Sequence, residues 1–130
     1  MGKGKGEMGA MVTHFTDLHA WKIAHELTLF IYKISKKFPD DEKFGLTSQL
    51  RRASVSIESN IAEGFGRFGA NDKKQFYLFA KSSCLEVECQ IRIIKDLEYC
   101  NEESYKSGLD LCLKAQQALS GLIQSMRARR

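Results

Sequence analysis

Between Gln49 and Arg67 the sequence concentrates side chains that can hydrogen-bond, ionise or attack. At about 100° per residue on a helix, Gln49, Arg52, Ser56, Asn60, Glu63 and Arg67 fall within roughly 40° of one line, beside a stripe containing Ile57 and Ile61. Arginine brings five donors, asparagine both a donor and an acceptor, and glutamate an acceptor pair, so this ribbon can knit helices or subunits together. It could also form a catalytic or ligand face. Ser56 would need a base to become a nucleophile, yet no histidine or lysine stands beside it at helical spacing, and the nearby acids have arginines as partners. The expectation is a structural polar network of Arg52, Ser56, Asn60, Glu63 and Arg67, with no catalytic residue.

Metal chemistry finds little support in the spacing. Cys84, Cys89, Cys100 and Cys112 form no C-x-x-C pair, and five positions on a helix turn Cys84 and Cys89 about 140° apart. His14, His19 and His25 make no H-x-x-x-H pair and no Glu-x-x-His occurs, so surface or capping roles are expected for them and neither metal nor cofactor is implied. With no signal-peptide core in the opening residues, the cysteines are expected to be reduced thiols.

The cations are the remaining chemistry. Twenty basic against sixteen acidic residues give a net charge of +4, which permits an anionic partner without demanding one. Lys33, Lys36 and Lys37 form one cluster, Lys73, Lys74 and Lys81 a second, and Arg127, Arg129 and Arg130 a third. These are the candidate nucleic-acid contacts if the fold brings them together.

The elements that must position these groups are helical. Residues 1–14, opening with alternating glycine and lysine, read as a flexible tail, and Gly6 stands where a myristoylation motif needs a hydroxyl. Residues 15–130 read as one domain, as 130 residues with 43% hydrophobic and 28% charged side chains suggest. From Thr16 as N-cap, apolar residues recur at helical spacing from Ala20 to Phe38, where Pro39 stops the run. Asp40, Asp41 and Glu42 suit the first turn of a second helix whose core line runs from Leu46 through Ile57 and Ile61 to Phe68. Gly64, Gly66 and Gly69 near its end suit left-handed backbone or close approach. Asn71 and Asp72 would cap a third helix with Phe76, Phe79, Ala80, Ser83, Val87, Ile91, Ile94 and Leu97 on one face, and Asn101 a fourth running to the arginine-rich end. No two-residue alternation persists, so the expected fold is all-α, an antiparallel up-down-up-down four-helix bundle. In that order the fourth helix ends where the third begins, grouping Lys73 and Lys74 with the arginine tail at one rim and Lys33, Lys36 and Lys37 at the other.

Two helices carry more apolar surface than one core uses. Leu18, Trp21, Leu29 and Tyr32 on the first and Leu78, Leu85, Cys89 and Ile93 on the third lie off the core line, which points to self-association. No stretch reaches the length of about 20 apolar residues that crosses a bilayer, so no membrane partner and a cytoplasmic location are expected.

The run Arg51-Arg52-Ala53, Val55-Ser56-Ile57 and Asn60-Ile61-Ala62-Glu63-Gly64 with Arg67, preceded by Phe44-Gly45-Leu46, resembles the signature of the four-helix-bundle family encoded by bacterial ribosomal RNA intervening sequences. Phe15-Thr16-Asp17-Leu18 and Trp21 extend the likeness, which covers residues 15–126. The resemblance implies a homopentamer around a central channel. It extends in architecture to the accessory variability determinant of diversity-generating retroelements, a basic pentamer that binds nucleic acid and a reverse transcriptase. Neither branch implies a cofactor or a reaction.

Two classes of function therefore compete. One is a non-enzymatic oligomeric scaffold that binds RNA or DNA through phosphates, with a reverse transcriptase as a further partner, or a partner-binding ring without nucleic acid. The other is a helical nuclease centred on Arg52, Asn60 and Glu63. Histidines confined to the first 25 residues and the lack of paired metal-ready carboxylates weigh against it.

Overall fold

The structure, a computed structural model, describes residues 11–127, the last by its backbone. Among these residues are four α-helices and two short 3-10 turns, with no strand. Helix α1 spans His19–Ser35, α2 Leu46–Phe65, α3 Ala70–Asp96 and α4 Glu102–Arg127.

The chain enters α1 differently from expectation. Thr16 is not an N-cap; it sits inside a 3-10 turn, Phe15–Asp17, which His14 caps. The Asp17 carboxylate accepts the backbone N–H groups of Thr13 and His14, both at 3.1 Å, and winds these residues tightly. Extended Leu18 then resets the backbone, and α1 buries Ala20, Ala24, Leu27 and Ile31 along one face.

Asp40–Glu42 likewise form a separate 3-10 turn rather than the first turn of α2, because Gly45 breaks the backbone between them at ψ −113°. Glu42 still serves the helix: its Oε1 accepts the Leu46 N–H at 3.1 Å. At the other end α2 stops at Phe65, and Phe68, expected in the core, is fully exposed because the helical register that would have buried it has already ended. Gly66 and Gly69 have φ of −79° and −86°, so the left-handed backbone foreseen there is not used.

Helix α3 begins one residue before Asn71, with Gly69 as its N-cap. Its core line runs through Tyr77, Ala80, Cys84, Val87, Ile91 and Ile94. Phe79, two residues from Tyr77 and so about 200° around the helix, is exposed instead of buried, as is Leu97 beyond the helix end. Asn101 does cap α4, its Oδ1 accepting the Ser104 N–H at 2.8 Å, and α4 buries Cys112, Ala115, Leu119, Ile123 and Met126.

Each helix packs against two others, and α1 meets α4 to close the bundle. Thr28 donates to the Ser54 carbonyl and Arg51 Nε to Ser35 Oγ, at 3.1 and 2.8 Å, joining α1 to α2. Ser56 meets Ser83 at 3.0 Å between α2 and α3. Gln116 donates to Glu88 at 2.9 Å, and Arg92 to Tyr105 at 3.3 Å, between α3 and α4. Phe30 of α1 lies against Gly108 of α4. No described helix is long and apolar enough to cross a membrane.

Candidate functional site

The polar ribbon of α2 divides into three pieces. In the middle, Asn60 Nδ2 donates to the Ser56 carbonyl at 2.9 Å and to its hydroxyl at 3.1 Å, and that hydroxyl meets Ser83. This half-buried group links α2 to α3. Towards the helix end, Glu63 and Arg67 are exposed and pair with each other at 2.9 Å, with Asp72 3.8 Å from the same guanidinium. The Arg67 guanidinium also stacks over Phe76 at 4.5 Å. Towards the start, Gln90 of α3 reaches Gln49 and Glu86 at 3.4 Å each, and its buried Oε1 has no hydrogen-bond partner. Arg52 is exposed and joins none of these groups. Among the described residues the ribbon is therefore three separate groups rather than one network: Ser56 and Asn60 face Ser83 of α3, Glu63 and Arg67 pair at the exposed end of α2, and Arg52 joins neither.

Within α2 the arginine that reaches another helix is Arg51, which donates to Ser35 of α1 and places its guanidinium 4.7 Å from the Tyr32 ring. His25, expected in a surface or capping role, instead pairs with a side chain of α2. Its Nδ1 lies 3.1 and 3.2 Å from the two Glu58 oxygens, and its ring stacks on Trp21 at 4.7 Å and 11°. Such a carboxylate–imidazole pair fixes which ring nitrogen faces outward. The partners stand 33 residues apart in the chain, so no local spacing announces them.

Of the candidate nucleic-acid contacts, Lys73 is partly committed to structure: its Nζ donates to the Phe65 carbonyl at 2.7 Å at the end of α2. Lys74 is half-buried near it in sequence. Lys81 borders a shallow groove of about 520 Å³ between α3 and α4, with Gln116, Gln117, Ser120 and Gln124. Lys33 and Lys37 line a smaller cavity of about 230 Å³ with Tyr99, Cys100, Asn101 and Ser104 at the start of α4, and Lys36 is exposed. Arg127 ends α4, while Arg129 and Arg130 lie outside the described residues.

The apolar candidates separate by helix face. Leu29, Tyr32, Leu78, Leu85, Cys89 and Ile93 are exposed. Leu18 and Trp21 are instead half-buried against the bundle's own core, Trp21 wedged between Phe15 and His25. The reason is the 3-10 turn before α1, which folds Phe15 back onto this end of the helix.

Cys84 and Cys112 are enclosed between α3 and α4, where burial pushes both thiols up to about 12 and keeps them protonated at neutral pH. Among the described residues no three metal-ligating side chains come together. Glu88 is held below the usual carboxylate range by hydrogen bonds from Gln116 and Arg92, consistent with a carboxylate fixed in a structural role.

Residues 16–121 match the family model described as 23S rRNA-intervening sequence protein. No curated protein matches the chain. Among solved structures, the bundle is similar to a protein of unknown function from the S23 ribosomal protein family of Bacteroides thetaiotaomicron, with a TM-score of 0.74 and 21% identity over 80% of this chain and 97% of that one. At this identity the likeness speaks for the fold.

Proposed function

The chain belongs to the 23S rRNA-intervening sequence protein family, and from that premise we propose a non-enzymatic, self-associating scaffold that binds RNA or DNA through phosphate contacts in the cytoplasm. The single observation that carries the reading is the exposure of apolar side chains on two separate flanks of a bundle whose core is already complete. Leu29 is 58% and Leu85 53% exposed although each lies mid-helix, where a bundle acting alone would place polar residues. The reading includes an antiparallel up-down-up-down order. In its support, positions 25, 28 and 35 of α1 meet 58, 54 and 51 of α2, and positions 49, 56 and 64 of α2 lie against 90, 83 and 77 of α3.

Covering both flanks by neighbouring copies makes a closed ring the natural assembly, and a homopentamer is the form the family likeness favours. Five copies at +4 would carry about +20, with the lysine clusters repeated around the ring, so a polyanion could be held at many weak contacts. A reverse transcriptase is a further partner within this reading. The buried thiols, which stay protonated, and the outward-facing, mutually paired Glu63 and Arg67 give no activated nucleophile or acid–base pair to support a nuclease. Light scattering after size exclusion tests the assembly: several chain masses are expected, and a mass of one chain across micromolar concentrations would overturn it.

A further inference from the structure

The connection from α1 to α2 leaves an aromatic ring in water that nothing within the chain accounts for. Phe44 is 88% exposed, lies outside the core, and stands directly before Gly45, the N-cap of α2. It borders a depression of about 470 Å³ together with Tyr32, Lys43, Arg51 and Arg52. Two aromatic rings and three cations thus share one hollow, and no carboxylate lines it. Arg51 is already positioned there, since Ser35 accepts from its Nε and its guanidinium lies against Tyr32, which leaves its two terminal nitrogens without a hydrogen bond among the described residues. Lys43 Nζ stands 5.5 Å from the centre of the Phe44 ring. None of the three cations forms an ion pair among the described residues. The nearby carboxylates are engaged elsewhere or lie outside the hollow. Glu42 holds the Leu46 N–H and the Tyr99 hydroxyl, Glu86 stands across from Arg52 in the α2–α3 register yet makes its one hydrogen bond with Gln90, and Asp40 and Asp41 are exposed on the preceding turn.

Resting on the nucleic-acid reading above, we propose that this depression holds one unpaired nucleotide of a single strand, its base stacked on Phe44 and its phosphates on Lys43, Arg51 and Arg52. Every base has a face that stacks on an aromatic side chain, and the phosphates on either side of it call for positive charge. A free phosphate or an acidic side chain would meet the cations and leave the Phe44 ring in water. A duplex is shut out of the same contact, because its base faces are already covered by the neighbouring pairs. The size agrees, since hollows of about 300–1,000 Å³ enclose one small molecule and not a paired helix. Along the bundle the depression lies one turn nearer the α1–α2 connection than Leu29 and Val55, so a neighbouring copy that covers those two leaves it open at the rim.

The test titrates the full-length protein, by fluorescence anisotropy at one low salt concentration, into a labelled RNA without self-complementarity, either alone or annealed to its complement. Phosphate contacts alone favour the duplex, whose charge is the denser. The parent should instead bind the single strand more tightly by about fivefold or more, and Phe44→Ala should erase that margin while leaving duplex binding unchanged. Phe44→Trp should keep the margin, and the single strand should quench the emission it adds to that of Trp21. Arg52→Gln should weaken single-strand binding more than duplex binding. Unchanged helicity by circular dichroism and unchanged mass by light scattering check that each variant folds and assembles as the parent does. A parent that binds both forms alike or favours the duplex would overturn the proposal while sparing the nucleic-acid reading. So would a Phe44→Ala chain that loses both forms equally or neither, or one that loses assembly, which would place Phe44 in a contact between copies. A parent that binds neither form would remove the nucleic-acid reading and this proposal with it.

Discussion

Gly64 of α2 lies so close to Tyr77 of α3 that a Cβ built on the glycine would stand 2.7 Å from the tyrosine Cε1 and 3.1 Å from the Cβ of Phe76. The Tyr77 ring is buried and the Phe76 Cβ moves only with its backbone, so neither neighbour can yield cheaply. Gly64→Ala should therefore cost about 1–3 kcal/mol despite the better helix propensity of alanine. A melting temperature equal to or above the parent's would contradict this contact.

That glycine shows how much of the molecule was legible in the sequence. The four helices follow from apolar spacing, and Asn101 was readable as a cap because its side chain bonds a backbone N–H three residues on. Gly64 was visible as an unusual residue, but its reason was not: the helix continues through it, and what requires it is a ring thirteen positions away. The same limit hid Arg51–Ser35 and His25–Glu58, whose partners meet only once α1 and α2 pack. Angular arithmetic put Arg52, Glu63 and Arg67 beside the core line, yet a long side chain at that border can turn to solvent, and these do. Phe79 and Phe68 failed for a simpler reason, a register extended past or begun at the wrong residue.

Glu98 is the one non-glycine residue with positive φ among those described, at 63°. It closes α3, where the Tyr99 N–H returns to the Ile94 carbonyl and the Glu98 N–H to that of Lys95, both at 2.9 Å. Glycine adopts this backbone without the Cβ penalty, so Glu98→Gly should stabilise the fold by about 1 kcal/mol, read as a higher denaturant midpoint with an unchanged slope. A lower midpoint would count against it.

Ser56 and Asn60 should matter more to stability than Glu63. Asn60→Ala removes both donations to Ser56, and Ser56→Ala strips partners from Asn60 and Ser83, so each should cost about 1–2 kcal/mol. Glu63→Ala breaks an exposed pair at the end of α2 and should change stability by less than about 0.5 kcal/mol. Equal effects in urea unfolding would indicate that the ribbon acts as one network after all.

The Tyr99 hydroxyl donates to Glu42 Oε2 at 2.8 Å across the start of α2. Hydrogen bonds from the Leu46 N–H and from Tyr99 hold the Glu42 carboxyl below its ordinary range, and the same contact with Glu42 raises Tyr99. The lowered acid contributes stability above about pH 4.3 that is lost as pH falls through its folded value; the raised phenol contributes stability below about pH 10 that is lost as pH rises through its own. Tyr99→Phe should thus lower the melting temperature by a constant amount between about pH 5 and 9 and by less at pH 3. A difference at pH 3 as large as at pH 7 would show that the hydroxyl acts without the carboxylate.

Fluorescence anisotropy of labelled RNA and DNA, titrated with the full-length protein at increasing salt, tests the proposed function most directly. Binding should be indifferent to sequence and weaken at least tenfold between about 50 and 200 mM salt, because lysines and arginines displace counterions from phosphates. Joint reversal to glutamate at Lys74, Lys81, Arg127 and Arg129 should remove most of it, with Lys73 retained for its bond to Phe65, and Lys36→Glu alone should do less. An assembled parent that leaves RNA and DNA free at about 50 mM salt would contradict the account and leave a ring that binds other partners.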